Sequence, residues 1–357
     1  MNADLVRDEI RALHAYPVAD ARGFIKLDAM ESPFAFPASL RAGLADALAG
    51  ASLNRYPSAD AAELKAALRR AMRIPDALDI LLGNGSDEII QLLALAVARP
   101  GATILSVEPA FVMFRMIATY AGLGYTGVPL NPDFTLDRSA WRAAIRDTRP
   151  ALIFLASPNN PTGNAFPPED IEATIEAARA VGALVVIDEA YFAYADTDFL
   201  GHVAQHDNVV LMRTVSKLGL AGLRLGLLVG RREWLEQFDK VRLPYNINAL
   251  TQAAATFALA PPHYASLLAQ ARGLVEERAR VRAALCTLPG VTVHPSQANF
   301  VLIRVADAAA TFEKLLAARI LVKNTSKSHP LLAGTLRLTI GAPHENDALL
   351  AALRQAV

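Results

Sequence analysis

The chain has 357 residues, 35 Lys plus Arg against 35 Asp plus Glu, and one cysteine, with 53% hydrophobic residues. That length suits two domains, or one large and one small, with core enough to fold without disulfides or metals. Charge balance argues against a surface built for nucleic acid or an anionic membrane, and the lone Cys286 excludes a disulfide framework within the chain. Cys286 sits in an Ala- and Leu-rich helical stretch and reads as a small core residue rather than a nucleophile. Residues 1–16 mix Asp4, Arg7, Asp8, Glu9 and Arg11 with no apolar run, unlike a secretory signal. The longest stretch without charge, 243–271, is broken by Pro244, Asn246, Asn248, Pro261 and Pro262, so it does not read as a membrane span. A soluble, cytoplasmic protein is the expectation.

From 54 to 230 amphipathic helical runs alternate with short β-branched ones. Helices are expected over 61–72, 87–97, 112–120 and 168–180, and strands over 103–107, 125–130, 152–156, 184–187, 209–213 and 225–229. Such short, continuous apolar strands suit a mostly parallel sheet covered by helices on both faces, joined by right-handed βαβ crossovers. Past 231 the pattern changes. Helices are expected over 234–241, 250–259, 264–288 and 308–318 and from 346 onward, and strands over 291–294, 299–305, 320–323 and 336–340. In the helix 264–288, Glu276, Glu277, Arg278, Arg280 and Arg282 are placed on the exposed side. The fold class is therefore α/β, with a large domain (54–262) and a smaller α+β domain (263–357) that the N-terminal segment (1–53) joins.

Four segments carry the chemistry. Lys217 follows a strand and precedes a glycine-rich turn, with Thr214 and Ser216 before it and Arg224 seven residues on. An isolated loop lysine is ordinarily solvated. Beside a hydroxyl and a guanidinium that can hold a phosphate, its amine can close an imine with an aldehyde, and burial lowers its pKa to favour this. Asp188 ends a strand, so its carboxylate emerges at the carboxyl edge of the sheet, where open α/β sheets bind ligands. It reads either as a loop or capping residue or as the partner of a pyridinium nitrogen. Tyr191 and Asn160, the latter displayed by a Pro- and Gly-flanked turn, can donate to a ring oxygen. Gly85-Ser86-Asp87 opens a helix, where orphan N–H groups bind anions, although Ser86 or Asp87 can equally be a plain N-cap. Phe111 suits ring stacking and core packing alike. An amine, an acid, two ring-oxygen donors and a phosphate clamp together match pyridoxal 5′-phosphate (PLP). The run Gly122-Leu-Gly124-Tyr-Thr-Gly127 imitates a dinucleotide fingerprint, but it leaves a helix and opens a strand, so it is a turn. The histidines show no metal-ligand spacing.

With those segments in place, the chain resembles the fold-type I PLP-dependent aminotransferases almost end to end, and within them the class II branch of histidinol-phosphate aminotransferases. Leu53-Asn-Arg-Tyr56-Pro57, Ser157-Pro-Asn-Asn160-Pro-Thr-Gly163, Asp188-Glu-Ala-Tyr191, Thr214-Val-Ser216-Lys217 and Leu336-Arg337-Leu-Thr-Ile-Gly341 carry it. The resemblance implies an aspartate-aminotransferase-like fold and a homodimer in which Tyr56 reaches the partner's cofactor phosphate. It also implies an Arg337 that grips the substrate's anionic end, with Tyr16 and Lys323 helping to hold substrate phosphate. The implied reaction is transamination between histidinol phosphate and 2-oxoglutarate, giving imidazole acetol phosphate and L-glutamate, in histidine biosynthesis. Aromatic-amino-acid transamination and threonine-phosphate decarboxylation stay open as alternatives. A non-catalytic PLP-binding regulator lacks support, because no helix-turn-helix region is appended. Three departures stand out: a Lys217–Arg224 turn one residue short, Asp28 and Met30 where polar amides are usual, and Phe111 where tyrosine is common.

Overall fold

The computed structural model describes residues 5–15 and 18–357. Twelve strands among them form two sheets. The first contains β2 (Asp79–Gly83), β3 (Thr103–Glu108), β4 (Gly124–Pro129), β5 (Leu152–Ala156), β6 (Leu184–Asp188), β7 (Val209–Thr214) and β8 (Gly226–Gly230). Their spatial order is β2-β8-β7-β6-β5-β3-β4, and only β8 runs against its neighbours. The second sheet has the order β1-β11-β12-β10-β9, with β1 (Ile25–Leu27), β9 (Thr292–Val293), β10 (Phe300–Arg304), β11 (Ile320–Asn324) and β12 (Thr335–Thr339).

Alternation along the central strands explains why the first sheet is covered twice. Ile153 and Leu155 of β5, Val185 and Ile187 of β6, and Val209 and Leu211 of β7 enter one core. Leu152 and Phe154, Leu184 and Val186, and Val210 and Met212 enter the other, against the helices Ser86–Val97, Met113–Ala121 and Arg232–Asp239. Neither face meets water, so both registers of each strand are apolar, as a buried parallel sheet requires. The first core continues through the helix Pro261–Leu285 to Val301, Ile303, Leu336 and Leu338 of the second sheet.

Every strand and helix expected past residue 54 is present within a few residues. Six strands and α-helices were not expected: β1, β2, and the helices Asp8–Arg11, Arg41–Ala49, Arg138–Thr148 and Leu200–Gln205. β1 is three residues long and pairs in parallel with β11, Ile25 opposite Ile320, so no local pattern announces it. Two placements need correction. Arg278 is not on the exposed side of its helix; it is 8% exposed, on the buried stripe Leu267, Ala271, Leu274, Arg278, Val281, Leu285. That spacing of three and four residues keeps one face inward. Cys286 is exposed rather than core, because it caps the helix one position past Leu285, which rotates it off the same stripe.

Candidate active site

The carboxyl ends of β2, β3, β5, β6 and β7 open onto one cleft of about 120 Å³. It is lined by Ser86, Asp87, Phe111, Asn160, Asp188, Tyr191, Thr214, Ser216, Lys217 and Arg224, and also by Met30, Ala156 and Ala190. Ten of the residues singled out in the sequence therefore meet in a single place.

Asp188 is the last residue of β6, opposite Ala156 of β5. Its side chain is 4% exposed and accepts from the Ala190 N–H at 2.9 Å. Burial pushes its pKa up to about 7; that N–H pulls the other way, the charges of Asp87 and Glu189 add to the rise, and nearby Lys217 offsets only part of it. A buried carboxylate in that condition is poised for a cationic partner. The neighbouring Glu189 faces the core instead, where it accepts from Arg213 Nε at 2.8 Å and from the Phe199 N–H at 2.7 Å. One dipeptide thus supplies an acid to the cleft and an anchor to the loop behind it. Tyr191 meets Phe300 edge-on at 5.3 Å, and its hydroxyl donates to Met30 Sδ at 3.6 Å.

Lys217 lies in the one-turn 3-10 helix Ser216–Leu218, which Gly219 ends at φ +83. Its Nζ donates to the Ala29 carbonyl at 3.3 Å and lies 6.0 Å from the Tyr191 ring centroid. Burial lowers its pKa to about 8, and the guanidiniums of Arg337 and Arg224 push the same way. A neutral amine at modest pH is what nucleophilic attack needs.

The anion corner is built where the helix Ser86–Val97 begins. Gly85 stands before it at φ +86, and a Cβ there would come within 2.6 Å of Arg224 Nη2, so only glycine lets the guanidinium lie across the helix start. Strand β8 presses on the same turn through Gly226, whose Cβ would meet Gly85 C at 2.8 Å. Arg224 also pairs with Asp87 at 3.6 Å. The Ser86 hydroxyl is buried and has no hydrogen-bond partner among the described residues. Thr214 Oγ1 is 2.8 Å from Ser216 Oγ and 3.0 Å from the Leu225 carbonyl, and it accepts from the Ser216 N–H at 3.1 Å. Three cleft-lining hydroxyls, N-terminal helix dipoles and a guanidinium converge here, a ready anion site.

On the opposite wall, Arg337 of β12 donates through Nη1 to Asn160 Oδ1 at 2.6 Å and through Nη2 to the Asp28 carbonyl at 2.7 Å. Lys323 of β11 is its cross-strand partner, so both cations stand at one place on the second sheet. Tyr56 does not line the cleft; it is 80% exposed and stacks on Tyr245 at 4.6 Å. Tyr16 lies outside the described residues. The sequence reading did not place Met30, Ala156 or Ala190 in the site. In the sequence Met30 is only an apolar residue where an amide is usual, and Ala156 and Ala190 are small residues close to Asn160, Asp188 and Tyr191.

A family model for aminotransferases of class I and II matches residues 22–354. The chain belongs to that family. It is 54% identical over 354 residues to histidinol-phosphate aminotransferase 1 of Burkholderia mallei, covering 99% of this chain and 98% of that one. Against histidinol-phosphate aminotransferase of Chromobacterium violaceum the identity is 52%, covering 98% and 97%. The crystal structure of histidinol-phosphate aminotransferase from Sinorhizobium meliloti in complex with pyridoxal-5′-phosphate matches at a TM-score of 0.85 and 25% identity, over 98% of this chain and 97% of that one. The α/β expectation and the aspartate-aminotransferase-like architecture therefore hold. No helix among the described residues is long and apolar enough to cross a membrane.

Proposed function

We propose that this enzyme exchanges the amino group of histidinol phosphate with 2-oxoglutarate in histidine biosynthesis, with PLP as its cofactor. The observation that carries the reading is the cleft itself: a buried amine of lowered pKa and a buried acid of raised pKa stand in one cleft with a phosphate-sized anion corner. The residues fit that cofactor. The partnerless Ser86 hydroxyl, the N–H groups after Gly85, Ser216, Thr214 and Arg224 offer donors for a phosphate. Asp188, Tyr191 and Asn160 suit a pyridinium and a ring oxygen, and Phe111 a ring face.

When bound, PLP supplies an electron sink for the pair left on the substrate α-carbon as its proton departs. The chain supplies the rest. Asp188 keeps the ring nitrogen protonated by offering its negative charge in a dry setting. Lys217 Nζ would take the proton from the substrate α-carbon and deliver it to the carbon on the far side of the amino nitrogen, a positioned general base of the kind that contributes about 10²–10⁴-fold. Arg337, with Lys323 and Tyr16, orients the substrate by its phosphate or the second substrate by a carboxylate, since a guanidinium fork suits both anions. Leu53, Tyr56, Tyr245 and Leu250 line one surface hollow. That supports a homodimer in which Tyr56 crosses to the partner's phosphate corner, and a biosynthetic enzyme of this kind suits the cytoplasm.

The test is turnover of purified, PLP-loaded protein on histidinol phosphate plus 2-oxoglutarate, read as L-glutamate formed. Phenylalanine and threonine phosphate serve as competing amines. Preferred conversion of histidinol phosphate is expected. Faster release of carbon dioxide from threonine phosphate, or a preference for phenylalanine, overturns the substrate assignment.

A further inference from the structure

Two buried polar side chains behind the cleft are unused by the chemistry above. Tyr194, in the one-turn 3-10 helix Phe192–Tyr194, is 3% exposed, and its hydroxyl donates to the Lys217 carbonyl at 2.5 Å. Arg278 comes from the long helix Pro261–Leu285, and its Nη1 donates to the carbonyls of Tyr194 at 3.2 Å and Ala298 at 2.8 Å. Interior guanidiniums are costly to desolvate, and this one spends its hydrogen bonds on main-chain carbonyls of two loops.

We infer that Tyr194 and Arg278 are positioning residues, a relay that fixes the main chain of Lys217 and so aims its amine into the cleft. The inference rests on reading Lys217 as the cofactor-binding lysine. The turn that carries Lys217 is closed by one backbone bond, Leu218 N–H to Val215 O, and Gly219 then leaves the helical path. The Lys217 carbonyl takes its donor from Tyr194, and holding that carbonyl clamps the peptide plane beside the Lys217 Cα, which limits how far the lysine stem can swing. Tyr194 lies three residues after Tyr191, and its N–H bonds the Tyr191 carbonyl at 2.9 Å. The loop after β6 therefore delivers Asp188 and Tyr191 to the cleft and braces the lysine loop after β7. Acid and amine are held at a fixed separation by a phenol. Arg278 extends the brace to Ala298, beside Asn299, whose Nδ2 donates to the carbonyl of the cleft residue Met30 at 2.9 Å.

Tyr194→Phe keeps the buried ring and removes only the donor. In the PLP-loaded enzyme kcat is expected to fall about three- to tenfold, with both KM values nearly unchanged. Capture of PLP by the cofactor-free protein, followed by visible absorbance, should slow by a similar factor. Its pH midpoint should move up from near 8 toward the ordinary lysine value of 10.5, because a loosened amine reaches water. Arg278→Met should act in the same direction and Arg278→Lys should restore part of the loss; should Arg278→Met fail to fold, Tyr194→Phe decides alone. A Tyr194→Phe protein that melts earlier but keeps its kcat, capture rate and pH midpoint overturns the inference. Capture uses neither substrate, so the outcome stands apart from which amine the enzyme prefers.

Discussion

The two walls of the cleft are built on opposite principles. The wall from the first sheet places each functional residue directly after a strand: Asp188 ends β6, Thr214 ends β7, and Asn160 follows β5 by four residues. The other wall is assembled from distant chain. Arg337 reaches the Asp28 carbonyl across 309 residues of sequence, and the Met30 N–H donates to Thr339 Oγ1 across the same separation. Strand ends position chemistry by local rules, whereas the second wall exists only once β1 has docked beside β11, the neighbour of β12. The first wall suits chemistry common to a whole superfamily, and the second suits recognition of a particular substrate.

That contrast can be broken at either wall. The largest effect belongs to Lys217→Ala, which should abolish the visible absorption of the cofactor-loaded protein and lower turnover by about 10²–10⁴-fold or more. Retained transamination would remove Lys217 from its role. Asp188→Asn should lower kcat by roughly 10²–10³-fold, the equivalent of about 3–4 kcal/mol for an uncompensated buried charge partner. The same substitution has an opposite effect on the cofactor-free fold. Burial raises the Asp188 pKa from 3.8 to about 7, so the folded protein holds that proton more tightly than the unfolded chain does. Stability contributed by this group therefore falls as pH rises from about 4 to about 7, and the deficit persists above that. Without cofactor, Asp188→Asn should melt higher than the parent at pH 8, with the gap closing toward pH 4; calorimetry across that range checks the sign.

The smallest expected effect belongs to the second wall. Arg337→Gln should raise KM for the phosphorylated substrate by about 10- to 100-fold, in line with losing charge-assisted hydrogen bonds, while PLP capture persists with its pH midpoint moved slightly up, because a cation that lowers the Lys217 pKa is gone. A collapse of PLP capture in Arg337→Gln would show that the two walls are not separable.

The same contrast explains what the sequence revealed. Residues of the first wall were legible because a strand end, a turn glycine and a helix start leave signatures within a few positions, as at Gly85-Ser86-Asp87 and Thr214 to Lys217. Met30 was not legible as a cleft residue. Its place depends on Asn299 and Thr339, which hold its backbone from the far end of the chain. Arg278 was misread for a related reason: charge suggested solvent, whereas its acceptors are carbonyls of loops that the helix meets only in the folded state. Tyr56 and Arg337 entered through family resemblance, not through any local pattern of their own.

The central claim is that Lys217 is the amine that takes up PLP. Mixing cofactor-free protein with PLP near pH 8, trapping the imine by borohydride reduction and mapping the peptides tests it directly. The account predicts one pyridoxyl group per chain, on Lys217, and no label there after prior blocking of the cleft with a non-reactive PLP analogue. Labelling concentrated on Lys65 or Lys323, with Lys217 unmodified, contradicts it.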